Sequence, residues 1–292
     1  MKEVRAENTV HWRSFVSDQD MKILVSLTTT YERSALLRKS LPSLLDQEML
    51  PDDLILNISE TPYLKDSGFS EVPEWVKDLA VTINWVENTG SYRKLLPVLQ
   101  EAGHGDLIVT ADDDVIYSRA WLKDMIRAQQ RHPGTIVCSR GRKMKKNIFG
   151  RWQNYRNWPL VTTETIGLSV LATGCGGIVY SRELLDLDFV FDPKYLQIAP
   201  RQDDLWFKMA SMQKNVPTMV CPDIDKDNIY LEHKLGLDKE NFNKIKIKFR
   251  LLKFIKRTIV QGKNYLGINQ TGNDAAWDEI CTYSRLYPQA RE

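Results

Sequence analysis

The segment LIVTADDDVIY ends an apolar run, Leu107–Ala111, with three consecutive carboxylates, Asp112, Asp113 and Asp114. Adjacent carboxylates repel one another, so such a triplet is stable mainly where a cation neutralises it. A ligand set made only of oxygens suits Mg²⁺ or Mn²⁺, and Mg²⁺ commonly takes one or two carboxylates together with substrate phosphates. Along an extended chain Asp112 and Asp114 fall on one side and Asp113 on the other. A blander reading competes: a solvated acidic turn capping a helix that starts near Ser118. Placement directly after a strand and before a helix favours the cation, because ligands of open α/β sheets bind outside the carboxyl ends of the strands.

Other positions could carry chemistry. Asp203 and Asp204 precede an apolar helical face of Leu205, Trp206, Met209 and Met212. Acids in a first helical turn complement the helix macrodipole, which alone would explain them. Tyr92, Arg93 and Lys94 open a helical stretch after Asn88-Thr89-Gly90. A helix amino terminus beside cations suits an anionic ligand, and a capped helix with a solvated Arg-Lys pair fits equally well. Gly174, Gly176 and Gly177 surround Cys175 in a strand pattern. That pattern reads either as a plain bulge or as backbone closely approached by another group. SRGRKMKKNIFGRWQNYRNW mixes seven cations with Phe149, Trp152, Tyr155 and Trp158. With Gly141 and Gly150 in it, the stretch reads as a mobile loop, either solvated or a lid whose aromatics stack on a ligand while its cations meet phosphate.

Elements must hold these residues in place. Lys22–Thr28, Leu54–Ile58, Val81–Val86 and Leu107–Ala111 read as strands, and Thr135–Cys138, Gly177–Tyr180 and Thr218–Cys221 as weaker ones. Leucines at three- and four-residue spacing predict a helix over Ser34–Gln47, with a kink or early break at Pro42. Tyr92–Ala102, Arg119–Arg131 and Asp274–Leu286 are further helices. Strands alternating with helices imply an α/β fold, a mostly parallel sheet with helices on its faces.

The chain has 292 residues and a formal charge of only +2, from 40 Lys+Arg against 38 Asp+Glu. Its ordinary hydrophobic content excludes collagen-like, low-complexity and disordered classes. Residues 125–163 hold nine basic residues and no acid, and residues 241–273 hold eight and no acid. The rest carries 23 basic against 38 acidic residues, so near-neutrality is a cancellation. Scattered Cys138, Cys175, Cys221 and Cys281 lack a CxxC pair, which favours reduced thiols. No stretch approaches the ~20 apolar residues of a membrane span. A cytoplasmic protein is the expectation, with peripheral contact at the cytoplasmic face of the inner membrane through the basic run KIKIKFRLLKFIKR.

In order and spacing, several segments resemble the GT-A fold glycosyltransferases, whose DXD motif sits at the end of such a strand. VSLTTTYERSALLRKSLPSLLDQ followed by LPDDLILNISE is similar to the first strand, donor loop, helix and second strand. NTGSYRKLLPVLQEAGHGDLIVTADDDVIYSRAWL resembles the next helix and the DXD segment. TGCGGIVYSRELL resembles the Gly-rich strand on the acceptor side of the donor sugar, and APRQDDLWFKMASM the acidic acceptor helix. The likeness spans about Lys22–Pro222, roughly 70% of the chain, and is strongest to bacterial enzymes of capsule, O-antigen or related surface-glycan assembly.

The resemblance implies a GT-A catalytic domain over 1–235, with a nucleotide-sugar-binding half (22–115) and an acceptor half (116–235), and a basic, helical C-terminal extension over 236–292. It implies a ribose contact for Asp112 and a metal contact for Asp114, with Asp112 also available to the metal and Asp113 assigned to the donor. Thr28, Thr29, Thr30, Tyr31 and Arg33 would line the nucleotide, with Asn57, Arg93 and Lys94 as further donor contacts. Gly176, Gly177, Trp206 and Trp152 would meet the acceptor. One of Asp203 and Asp204, with Asp204 favoured, would be the general base of an inverting enzyme, and His233 would complete the shell of Mn²⁺ or Mg²⁺. The implied partners are a nucleotide-sugar donor, a saccharide or lipid-linked glycan acceptor and an anionic membrane surface. A nucleotidyltransferase or metal phosphohydrolase is the competing enzyme, disfavoured because SLTTTYER contains no glycine for a phosphate loop. A nucleic-acid binder is disfavoured by the acidic remainder of the chain.

Overall fold

A computed structural model describes residues 21–232, 261–268 and 271–286. His233 and the cations from Lys244 to Arg257 lie outside the described residues. The strands are β1 (Ile23–Thr28), β2 (Asp53–Ile58), β3 (Thr82–Trp85), β4 (Leu107–Ala111), β5 (Val115–Ile116), β6 (Ile136–Cys138), β7 (Gly141–Lys143), β8 (Thr165–Gly167), β9 (Val170–Ala172), β10 (Ile178–Tyr180), β11 (Thr218–Val220) and β12 (Ile229–Tyr230). The helices are α1 (Ser34–Leu45), α2 (Glu74–Lys77), α3 (Leu96–Glu101), α4 (Trp121–Arg131), α5 (Leu187–Val190), α6 (Tyr195–Ile198), α7 (Asp203–Gln213), α8 over residues 261–266, and α9 (Gly272–Leu286).

Eight strands form one sheet in the order β3-β2-β1-β4-β10-β6-β11-β8. Parallel pairing joins β3, β2, β1 and β4, and β6 with β11. β10 lies antiparallel between β4 and β6, and β8 is antiparallel at the edge. Alternation decides what covers each face. Ile23, Val25 and Leu27 of β1 and Val109 of β4 pack with Leu37, Leu41 and Leu44 of α1 and Trp121, Met125 and Ile126 of α4. Leu24 and Ile108 point the other way, into a core shared by α3, α7 and α9 through Leu99, Trp206, Phe207, Trp277 and Ile280. Burial on both faces explains why these strands read as continuous apolar runs.

Two helix expectations change. Pro42 does not end α1, which runs to Leu45. The stretch Tyr92–Ala102 is not one helix: Gly90–Lys94 is a 3₁₀ turn, Leu95 leaves helical geometry (φ −120°, ψ −53°), and α3 starts at Leu96. Pro97 is the cause, since it cannot donate to the carbonyl four residues back. The basic loop is also more built than expected. β7 pairs with β9, Lys146 bridges Trp152, and Trp152 packs edge-on against Trp158 and Trp277. All four cysteines are free thiols. Among the described residues no helix is long and apolar enough to cross a membrane.

Candidate active site

Sheet direction brings the chemistry to one edge. β1 and β4 end there, delivering Thr28–Tyr31 and the acidic triplet side by side. Because β10 runs the opposite way, with Ile178 opposite Thr110, the glycine-rich segment 174–177 enters the sheet beside Asp112. α7 starts beneath it, and the backbone N–H of Gly174 donates to Asp204 Oδ2 at 2.9 Å.

The triplet's three carboxylates have different partners. Asp112 Oδ1 is 3.3 Å from the Lys94 ammonium, while its Oδ2 is buried with no hydrogen-bond partner. Burial, and then the charges of Asp114 and Asp113 against the relief from Lys94, raises the Asp112 carboxyl above its ordinary value. Asp113 is buried and bound by both Arg33, whose Nε donates to Oδ2 at 2.9 Å, and Thr29 Oγ1 at 2.6 Å. Asp114 accepts Arg33 Nη2 at 3.0 Å and stays partly exposed.

Lys94 sits at the centre. A Cβ on Gly174 would lie 2.6 Å from Lys94 Nζ and 3.2 Å from Asp204 Oδ1, so the missing side chain is what lets ammonium and carboxylate approach. The Asp204 carboxyl is pushed up to about 7, by burial first and by the neighbouring Asp203 next, with Lys94 opposing. Asp203 is buried, and its Oδ2 has no partner. Cys175, an exposed residue next to this cleft, has its thiol pushed up to about 12, by burial of the sulfur first and then by Asp112.

Several residues expected at the site are engaged in the framework. Arg93 is 1% exposed and directs its guanidinium to Asp66 (2.8 Å), Ser59 (2.8 Å), the carbonyl of Thr29 and that of Gly90. Neither Arg93 nor Lys94 opens a helix, because the 3₁₀ turn ends with them. Asn57 is fully buried and crosses three strands, donating to Ser26 Oγ and accepting from Asn84. Trp206 is a core anchor: its indole stacks on Phe189 (4.3 Å) and donates to the Val190 carbonyl. Trp152 lies in the aromatic cluster with Trp158 and Trp277 and under the Lys146 ammonium. Gly176 and Gly177 answer to packing, with φ of +84° and +107° and with Ser139 Oγ and the Trp121 indole where their side chains would be. Thr29 and Asp113 anchor the first loop to the triplet. Thr28, Thr30 and Tyr31 line the same edge, Tyr31 largely exposed against Phe69.

Sequence reasoning missed Asp66. This loop carboxylate holds Arg93, Asn88 Nδ2 and the backbone N–H groups of Tyr31 and Gly68, so it organises the whole first loop. Nothing in its neighbours' types marks it out.

Among the described residues no three His, Cys, Asp or Glu side chains form a metal cage. Mg²⁺ with one or two carboxylates and phosphate oxygens needs none. The partnerless Asp112 Oδ2 and the half-open Asp114 fit that demand.

The model for glycosyl transferase family 2 matches residues 27–188. No curated protein matches the sequence. Among solved structures, S. aureus TarS 1–349 in complex with UDP-GlcNAc is similar at a TM-score of 0.50 and 18% identity, over 76% of this chain and 62% of that one. Another structure of TarS 1–349 is similar at a TM-score of 0.46 and 20% identity, over 70% and 58%. The chain thus spans less than two thirds of the TarS fragment's length. At these identities the TarS likeness with a TM-score of 0.50 shows the fold, which is GT-A.

Proposed function

The chain belongs to glycosyl transferase family 2, and from that premise we propose that it moves a sugar from a nucleotide-sugar donor to a hydroxyl of a saccharide or lipid-linked glycan, with inversion, in bacterial surface-polysaccharide assembly. The observation that carries the reading is the convergence of Asp112 and Asp204 on Lys94 and Gly174: Asp112 pairs with Lys94, and Asp204 accepts from Gly174 N–H. One carboxylate belongs to the donor side of the sheet edge and the other to the helix below it. The UDP-GlcNAc recorded with the TarS fragment supports a nucleotide-sugar donor. The surface-polysaccharide setting rests on the likeness of the sequence segments.

In this reading Asp204 is the general base and takes the proton of the acceptor hydroxyl. The acceptor oxygen bonds to the anomeric carbon from the face opposite the diphosphate. The bond from that carbon to the diphosphate oxygen breaks with its electron pair, and the nucleoside diphosphate departs. Lys94 holds Asp112 in place for the donor and puts a positive charge near Asp204. Arg33 and Thr29 fix Asp113 and thereby the loop carrying Thr28, Thr30 and Tyr31 against the nucleotide. A divalent cation held by Asp114 and Asp112 would neutralise charge developing on the leaving diphosphate.

The test is a panel of nucleotide sugars, scored for thermal shift and for Mn²⁺-dependent release of the nucleoside diphosphate, with Asp204→Asn and Asp114→Ala alongside. We expect one donor to protect and be turned over, with turnover lost in both variants. Absence of any donor that binds would overturn the reading. NMR of the product's anomeric centre checks inversion, and retention would remove Asp204 as base.

A further inference from the structure

We propose that the hairpin tip Asn147–Arg151 and the neighbouring α8 segment form a docking face for an anionic lipid bilayer. The face lies in a part of the chain the chemistry does not use. At the tip Ile148 is 81% exposed and Phe149 69% exposed. Leu266 and Ile268, on the neighbouring segment, are 45% and 48% exposed, and Tyr265 beside them is also open.

Two large apolar side chains held this far into water are not the product of a slack loop. The buried Asn147 side chain accepts from the backbone N–H groups of both Phe149 and Arg151, and Asn147 N–H donates to the Arg151 carbonyl. Gly150 turns the chain at a φ of +76°. Asn147 Nδ2 donates to the Tyr265 carbonyl at 3.2 Å, and Ile148 N–H donates to Tyr265 Oη at 3.3 Å. Tip and α8 segment are therefore stitched into one surface. Its base is anchored by Trp152 against Trp158 and Trp277.

Charge selects the occupant. Lys145, Lys146, Arg151 and Lys263 are exposed around the apolar tip. The described stretches that meet here, residues 145–151 and 261–268, contain no acid, and Asp274 and Asp278 of α9 lie on the inner side, next to Trp152 and Gly267. Interfaces between proteins are depleted of lysine. Apolar and aromatic side chains ringed by Lys and Arg suit the boundary of an anionic leaflet, where the apolar groups enter the acyl region and the cations meet head groups. The proposal extends the reading of a lipid-linked acceptor but is measured without donor or acceptor, so it stands or falls separately from the transfer chemistry.

The test is flotation of the full chain with vesicles of phosphatidylcholine alone and of phosphatidylcholine with phosphatidylglycerol, at low and physiological salt. Ile148→Ser/Phe149→Ser and Lys145→Gln/Lys146→Gln are compared with wild type, and circular dichroism with thermal unfolding checks that each variant folds. Wild type is expected to float with anionic vesicles and not with neutral ones. The apolar double variant should lose about tenfold or more of its partitioning, and the lysine variant should weaken it with a reduced salt dependence. Absence of anionic-vesicle binding, or binding that both double variants retain in full, overturns the proposal. Salt-insensitive binding to neutral vesicles would overturn the selectivity for anionic lipid.

Discussion

The Lys94 ammonium lies 3.3 Å from Asp112 Oδ1, and a side chain on Gly174 would strike both that ammonium and the Asp204 carboxylate. A carboxylate after β4 and one at the start of α7 thus act on the same buried cation, contributed by a turn that the sequence pattern reads as the start of a helix.

That arrangement sets a pH dependence. In its proposed role Asp204, with its carboxyl pushed up to about 7, takes up a proton only when ionised, so kcat/KM should fall as pH drops through about 7. Gly174→Ala would force Lys94 aside. It should lower kcat/KM about tenfold or more and move the acidic limb upward, because the cation that favours the Asp204 carboxylate has retreated. Steady-state profiles from pH 5.5 to 9 check both points. A profile that does not move in Gly174→Ala would deny the coupling.

Arg33 holds Asp113 and also reaches Asp114. A divalent ion at Asp114 must compete with that guanidinium. Removing it in Arg33→Ala should tighten Mn²⁺ binding without donor by about tenfold. Mn²⁺ titration followed by electron paramagnetic resonance reads this directly, and unchanged affinity would contradict it.

Gly177 has a φ of +107° and its absent side chain would strike the Trp121 indole, 2.6 Å away. Gly177→Ala should therefore cost about 3 kcal/mol of stability, because both the backbone and a rigid ring must give way. Urea unfolding monitored by circular dichroism measures it. A loss under about 1 kcal/mol would mean the bulge can relax.

Lys208 is buried in α7, where its ammonium reaches Thr218 Oγ1 at 3.2 Å. Burial lowers its pKa to about 8, below the unfolded value. The folded state therefore releases this proton before the unfolded state does, and stability from this group rises as pH climbs from about 8 to 10.5. Lys208→Met should stabilise at pH 7, by an amount on the order of 3 kcal/mol, and the gain should shrink by pH 10. Equal stability differences at both pH values would exclude the titration.

Much of the sheet was legible because β1, β2 and β4 are largely apolar runs of Leu, Ile and Val, and the carboxylates follow β4 without a gap. Strands β6, β10 and β11, three residues each, are still apolar enough to read, whereas β5, β7, β8, β9 and β12 are equally short or shorter and sit in mixed or polar sequence where no period shows. Site residues divided along similar lines. Residues next to a strand end, such as Asp112, Asp114 and Tyr31, reach the expected edge because strand direction carries them there. Arg93, Asn57 and Trp206 have types that suit a binding site equally well, and only burial reveals that they brace the framework. Asp66 and the Lys94–Asp204 approach depend on contacts across long sequence separations, which no local spacing encodes.

The packing of α9 has a consequence for synthesis. Tyr283 stacks on Trp206 and donates to Asp192, 91 residues earlier in the chain, with an oxygen–oxygen distance of 2.5 Å. The helix carrying Asp203 and Asp204 therefore leaves the ribosome with one apolar flank uncovered and is closed only by a much later segment. Nascent chains stalled before residue 272 would hold a formed sheet edge with an unsupported base. The order of translation thus places assembly of the sheet edge ahead of the packing that supports Asp203 and Asp204.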